Sequence, residues 1–190
     1  MEKIGEIYRK MRKDGVLHLA RIRFGISNAR TRLYNGFKYF CGENAQWLPE
    51  YEEVAKWMTD NEGLGLMLIG SNGRGKSVIA TKILPLLFRE QGYYYAICHA
   101  NEMNERRKEL AQSKILCIDD VGVEDIANNY GERINVFMNL MSDVERKDKL
   151  IVITTNLNQD EMEQRYSTRT TDRINEVCKV ISFNGGSMRK

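Results

Sequence analysis

Residues 70 to 77, Gly-Ser-Asn-Gly-Arg-Gly-Lys-Ser, have the spacing G-x-x-x-x-G-K-[ST]. An apolar run, LGLMLI, precedes them and a helical pattern follows, the context in which this spacing wraps phosphates. Gly70, Gly73 and Gly75 let the backbone turn tightly with its N–H groups aimed inward, and the helix N-terminus adds a favourable field for anions. Ser71, Asn72 and Arg74 complete the loop. Lys76 is then placed to reach the β- and γ-phosphates of a nucleotide, and Ser77 to ligate Mg²⁺. The alternative is a Gly-rich turn that happens to hold a lysine. Further on, KILCIDD is an apolar strand ending in paired carboxylates. Asp119 suits the Mg²⁺ shell and Asp120 the orientation or deprotonation of an attacking water, unless the pair is only a solvated strand end. KLIVITTNL closes on Thr154, Thr155 and Asn156. An Asn at a strand tip can hydrogen-bond the γ-phosphate or the water, although Thr-Asn is also an ordinary strand ending.

A second group is cationic. RYSTRTTDR, residues 165–173, puts Arg165, Arg169 and Arg173 at intervals of four, where like charges on one helix repel. Glu161 can reach Arg165 and Glu176 can reach Arg173; Asp172 is the local candidate for Arg169. Ser and Thr disfavour a helix interior, so a break is expected around Ser167–Thr171. Thr171 would then cap the following helix, with Asp172 in its first turn.

The elements that must position these groups alternate. Candidate strands are Leu64–Ile69, Tyr93–His99, Lys114–Ile118, Lys149–Thr155 and Lys179–Phe183. Helical patterns cover 49–60, about 75–90, 101–111, 132–147, 159–166 and 171–178, with Pro85 expected to kink or end its helix near Leu84. Continuous apolar strands separated by helices predict an α/β fold with a parallel sheet covered on both faces. At 190 residues and 42% hydrophobic content, one domain with a proper core is expected. No apolar run is long enough to span a bilayer, the start MEKIGEIYRKMRKDG is charged rather than signal-like, and no CxxC pairs the four cysteines. A cytoplasmic chain with reduced thiols and no membrane contact is the expectation. The net charge of +3 is uneven: residues 1–40 hold ten Lys/Arg against three Asp/Glu, and the rest nineteen against twenty-three. Such a basic arm suits nucleic acid or an acidic protein face, or is a solvated leader.

Taken in order, GSNGRGKS, ILCIDDVGVED, VITTNL, RYSTRTTDRINEV and a final GGSMR resemble the AAA+ ATPases of the DnaC-type helicase loaders, whose relatives include the IstB-type helper ATPases of transposition. The resemblance runs from about Leu64 to Arg189. It implies a P-loop NTPase of the AAA+ type, a five-stranded parallel sheet between helices without a C-terminal helical lid. By that resemblance Gly70 to Ser77 are Walker A, Asp119 and Asp120 Walker B, and Asn156 sensor 1. Tyr166, Arg169, Asp172 and Arg173 match the arginine-finger segment, with Arg173 as the finger and Arg169 as its interface partner. Arg165 is left to structure, paired with Glu161, and Arg189 stands where the family carries a sensor 2 arginine. The chain divides as 1–45, a basic N-terminal arm for partner or DNA, and 46–190, the ATPase domain.

The implied function is an ATP- and Mg²⁺-dependent loader of a replicative helicase, self-associating and contacting single-stranded DNA. Between the second and third strands, where loaders carry extra DNA-gripping helices, this chain has only NEMNERRKELAQSK, whose basic and acidic residues interleave. A transposition helper ATPase, a nucleotide-dependent binding switch with little turnover and, least favoured, a small-molecule kinase are the alternatives.

Overall fold

The computed structural model describes residues 21–43, 45–124, 127–129, 132–134 and 136–188. Its strands are β1 (Gly65–Gly70), β2 (Ala96–His99), β3 (Ile115–Val121), β4 (Ala127–Asn129), β5 (Glu132–Ile134), β6 (Leu150–Thr155) and β7 (Cys178–Phe183). Five of them form one parallel sheet in the order β2-β3-β6-β1-β7, while β4 and β5 pair only with each other, antiparallel. The expected five-stranded parallel sheet is therefore present. β6 is buried along its whole length and β1 along all but its last residue, because helices cover both faces and leave no solvated side.

The two-residue alternation of a strand divides the core. Leu66, Leu68, Cys117, Val152, Ile181 and Phe183 face one layer; Met67, Ile69, Leu116, Ile118, Ile151 and Ile153 face the other. The first layer holds α1 (Ala29–Cys41), α2 (Pro49–Thr59) and the long helix α3 (76–90) that leaves the glycine loop. The second holds α4 (Arg107–Gln112), α5 (Val136–Arg146), α6 (Gln159–Tyr166) and α7 (Thr168–Val177). α1 was not anticipated. Its buried residues Ala29, Leu33 and Phe37 recur every four positions among the exposed Arg30 and the half-buried Arg32 and Lys38, a narrow stripe within a basic stretch. Phe24, Ile26 and α1 share the core of the first layer; residues 1–20 of the expected arm lie outside the described residues.

Pro85 does not stop its helix. α3 is one rod in three stretches: α-helical Lys76–Val78, a π turn over Ile79–Ile83, and α-helical Leu84–Glu90. In the wide turn the Leu84 N–H bonds to Ile79 O, five residues back. The register has already left the i−4 pattern when the proline arrives, so its missing donor and its ring cost little. At the far end Gly92 has φ 80° and the Tyr93 N–H returns to Phe88 O at 2.9 Å, a glycine-based helix cap. That use of Tyr93 is why β2 begins at Ala96 rather than at 93. The helix expected from 132 begins at Val136, with 132–134 in β5. The expected helix 101–111 is a 3₁₀ turn, Ala100–Glu102, followed by α4. The buried Lys149 ammonium donates to Leu110 O (2.7 Å) and Ala111 O (2.8 Å), satisfying carbonyls that the end of α4 leaves unpaired.

All four cysteines are free thiols, with Cys41 exposed and the other three buried; burial pushes the Cys178 thiol up to about 12. Among the described residues no helix is long and apolar enough to cross a membrane, and no group of His, Cys, Asp and Glu is arranged to hold a metal.

Phe88 is fully buried, stacked on Tyr95 at 5.2 Å and edge-on to Phe24 at 4.8 Å. Phe88→Ala is expected to lower stability by about 3–5 kcal/mol in urea unfolding. Tyr94→Ala, at a side chain 73% exposed, should stay within about 0.5 kcal/mol of the parent.

Candidate functional site

β1 ends at Gly70, where φ is 118° and an added Cβ would lie 2.5 Å from Phe183 O on β7. Only glycine allows that approach. The Ser71 N–H then donates to the same carbonyl at 2.8 Å, so the loop leaves the sheet pinned to its neighbouring strand. Gly73 and Gly75 also have positive φ, 73° and 88°. Under the loop, Phe37 of α1 and Tyr51 of α2 stack at 4.2 Å, and the Tyr51 hydroxyl donates to Arg74 O at 2.9 Å. Burial, reinforced by the Glu50 carboxylate, holds the Tyr51 phenol above its ordinary range, which keeps that proton on the donor.

Arg74 faces away from the loop's interior. Its Nε donates to Glu50 Oε1 at 2.6 Å, both side chains being under a tenth exposed, and its Nη1 donates to Gly186 O at 3.1 Å. The Met188 N–H bonds to Gly73 O at 3.0 Å. The segment after β7 thus lies against the loop and holds it from outside. Asn72, Gly73, Arg74, Gly75, Lys76, Ser77, Val78, Asp120, Asn156 and Met188 enclose a cleft of about 230 Å³.

Inside it the polar groups form a chain. Lys76 Nζ donates to Gly70 O (2.7 Å), Ser71 O (2.8 Å) and Asn156 Oδ1 (3.0 Å). Asn156 Nδ2 donates to Asp120 Oδ1 at 2.6 Å. The amide therefore turns its oxygen to the ammonium and its nitrogen to the carboxylate, the arrangement its two ends require.

Asp119 and Asp120 owe their positions to an irregularity in β3. Ile118 pairs with Ile153 and Val121 with Thr155, so two residues of β3 face Thr154 alone. This is the count of a β-bulge, which re-aims side chains at a strand end. Asp120 takes φ 63°, a left-handed conformation Asp tolerates better than most residues. Thr154 Oγ1 donates to Asp119 Oδ1 at 2.6 Å and accepts the Asp120 N–H at 2.8 Å. Asp120 Oδ1 thereby reaches Asn156 while its Oδ2 lies 3.9 Å from His99 Nε2 on β2. Asp119 is held beside the cleft rather than in its lining.

The arginines stand elsewhere. α6 starts with a capping box, Asn158 accepting from the Glu161 N–H at 2.9 Å and Glu161 returning to the Asn158 N–H at 2.7 Å. Glu161 is thus used in the cap, and Arg165 pairs not with it but with Glu124, 4.0 Å away. The break between α6 and α7 is a single residue, Ser167 with φ 76°, narrower than expected. Thr171 does not cap a helix; it is buried inside α7, donating to Thr168 O at 2.9 Å. Arg169 and Arg173 consequently share α7 one turn apart. Arg173 Nε donates to Glu145 Oε2 and its Nη1 to Ser142 Oγ, both at 2.8 Å, so its partner is on α5 rather than Glu176. Arg169 is exposed and makes no hydrogen bond or ion pair among the described residues. Neither lines the chain's own cleft. Arg189 lies outside the described residues.

The sequence motifs thus bring Lys76, Ser77, Asp120 and Asn156 around one cleft. They did not point to Thr154 as the clamp of the bulge, to His99 beside Asp120, or to Glu50 and Tyr51 beneath the loop. A threonine at a buried strand tip facing a DD pair is the one signal that was visible.

A family model described as IstB-like ATP binding protein matches residues 34–190. The chain belongs to that family. No curated protein matches the sequence. Among solved structures the DnaC helicase loader is similar at 18% identity and a TM-score of 0.53, over 87% of this chain and 96% of that one. AMPPCP-bound DnaA from Aquifex aeolicus gives 16% and 0.56 over 77% of this chain and 50% of its own. The replication initiator DnaA bound to AMPPCP and single-stranded DNA gives 15% and 0.50 over 86% and 49%. At such identities the likeness is one of fold: this member of the IstB-like family has the P-loop α/β architecture of AAA+ proteins. Among its described residues, no helix follows β7.

Two outcomes test the site. Thr154→Val removes both hydrogen bonds of the bulge and is expected to cost about 1–3 kcal/mol in urea unfolding. Glu50→Ala removes the buried carboxylate partner of Arg74 and with it one brace of the loop; binding of a fluorescent ATP analogue, followed by anisotropy, should weaken by about tenfold, or 1.4 kcal/mol.

Proposed function

We propose that this IstB-like protein is an ATPase that works as an assembly, each cleft binding ATP with Mg²⁺ and hydrolysing it when a neighbouring copy supplies Arg173, with Arg169 beside it. The observation that carries the reading is the chain Lys76–Asn156–Asp120 within the glycine loop. It brings together an ammonium suited to phosphate oxygens, an amide and a carboxylate suited to take a proton, which supports the reading. The donor set suits Mg²⁺: Ser77 offers a hydroxyl and Asp119 a carboxylate, hard oxygens of the kind that bind this ion alongside phosphates and water. When bound, Mg²⁺ neutralises charge on the β- and γ-phosphates. The chain's own residues do the rest. Lys76 exchanges its carbonyl partners for phosphate oxygens, Asp120 accepts a proton from the attacking water, and Asn156 orients that water.

Arg173 and Arg169 lie on α7, outside their own chain's cleft, so a phosphate they serve belongs to another subunit. Arginine delivered in this way accelerates hydrolysis by about 10³–10⁵-fold. A cytoplasmic loader that holds a replicative helicase and contacts single-stranded DNA is the biological role we favour, on the likeness in fold to the DnaC loader and to DnaA solved with single-stranded DNA. The family match itself favours a second role, an IstB-type helper ATPase of transposition; capture of a helicase or of a transposase separates the two.

ATP hydrolysis per subunit, measured against protein concentration with single-stranded DNA present, is expected to rise with concentration. Arg173→Ala should abolish the rise and Lys76→Ala should abolish hydrolysis. A flat profile that Arg173→Ala leaves unchanged would defeat the assembly reading.

A further inference from the structure

One carboxylate used by neither the phosphate loop nor the water-activating pair lies between the two halves of the proposed site. Glu124 follows the turn that leaves Asp120, and it is 8% exposed. Its Oε2 accepts the Gly122 N–H at 2.7 Å. Its Oε1 accepts the Tyr166 hydroxyl, and its backbone carbonyl accepts Arg165 Nη2. Arg165 Nε also donates to the Tyr166 hydroxyl at 3.3 Å. Tyr166, 1% exposed, packs on Phe137 with ring centroids 4.8 Å apart. Burial first, and the Glu124 carboxylate second, hold its phenol above the ordinary range, so it stays a donor.

The position of this cluster gives it a consequence. On one side it grips the turn Val121–Gly122, directly behind Asp120. On the other it grips the last two residues of α6, directly before Ser167, whose left-handed φ of 76° sets the angle at which α7 departs. α7 carries Arg169 and Arg173. Gly122 is pressed against Leu157 as well, since a Cβ there would meet Leu157 Cδ1 at 2.7 Å. The turn and the α6–α7 corner therefore have little freedom to move separately while Glu124 joins them. A buried carboxylate is costly and is weak evidence for stability alone. Here one carboxylate oxygen closes the base-bearing turn on Gly122, while the other oxygen and the backbone carbonyl cross to the arginine-bearing corner.

We propose that Glu124 is a positioning residue that sets α7 against the turn behind Asp120, so that Arg169 and Arg173 are presented to a neighbouring subunit at a defined angle. The proposal rests on the reading above that these arginines act across an interface.

Subunit mixing tests it, with full-length chains. Arg173→Ala mixed with Lys76→Ala is the control: the first has an intact cleft and the second intact arginines, so hydrolysis must return on mixing if arginines act in trans. Failure of this control defeats the assembly reading and the proposal together. With the control positive, Glu124→Gln is expected to bind a fluorescent ATP analogue within about threefold of the parent. It should lose about tenfold or more of the concentration-dependent hydrolysis and recover it with Lys76→Ala chains but not with Arg173→Ala chains. Tyr166→Phe, which removes only the hydroxyl, should behave alike and guards against a folding defect. In the nucleotide-free protein, amide hydrogen exchange over 168–173 should be about tenfold faster in both variants, with 70–77 unchanged. Parent-like hydrolysis, unchanged exchange in α7, or a Glu124→Gln chain that restores Arg173→Ala while remaining dead with Lys76→Ala would each overturn the assignment.

Discussion

The hydroxyl of Thr154 holds the site in register. It sits between the Asp119 carboxylate and the Asp120 N–H and so stabilises two residues of β3 against one of β6. Without that bulge the strand would continue its pleat and send Asp119 and Asp120 to opposite faces of the sheet. With it, Asp120 enters the cleft and meets Asn156 and, through it, Lys76. Asp119 remains beside the cleft, already oriented. The cost of a left-handed Asp120 is offset by hydrogen bonds on both its backbone N–H and its carboxylate, as is common where backbone strain accompanies function.

The rest of the architecture serves the same end. β1 delivers the glycine loop and β6 delivers Thr154 and Asn156, and both strands are interior to the sheet, flanked by neighbours. Parallel direction puts the C-terminal ends of β1, β3 and β6 together, the place where ligands bind in open α/β sheets. The loop itself is braced from two sides: by the Phe37–Tyr51 stack and the Arg74–Glu50 pair below, and by the segment after β7 outside. Such bracing lowers the ordering that binding would otherwise require.

Charge is distributed between two faces. On the cleft side the Lys76 ammonium donates to two backbone carbonyls and the Asn156 amide oxygen, a set that a polyphosphate can displace. On the other side α7 presents Arg169 to solvent and Arg173 to Glu145 and Ser142 of α5. A guanidinium already oriented by two local hydrogen bonds loses less side-chain freedom on meeting an anion than a free one. Arg106 shows the opposite use of charge: Glu102 and Glu109 engage it within its own segment and Ile97 O of β2 beside it, and its electrostatics are spent locally.

By itself the sequence determined the sheet, its parallel sense, the helix-strand alternation and the phosphate loop, because each of these follows from local periodicity or from glycine spacing. It also placed Lys76 and Ser77 at the start of the helix after the first strand, and Asp120 and Asn156 at strand ends, where a shared cleft follows from parallel topology. What it left undecided depends on distant partners. The path of α3 through Pro85 relies on a π turn. Arg165 chose Glu124 over Glu161 because Glu161 satisfies an N–H at the start of α6. Arg74, a residue of the phosphate loop, sends its guanidinium to Glu50 twenty-four residues earlier. The bulge at Asp119–Asp120 needs a hydroxyl thirty-four residues downstream. Periodicity reports which face a residue prefers, but only the packed structure decides which of several possible partners satisfies each polar group, since each choice removes that partner from the others.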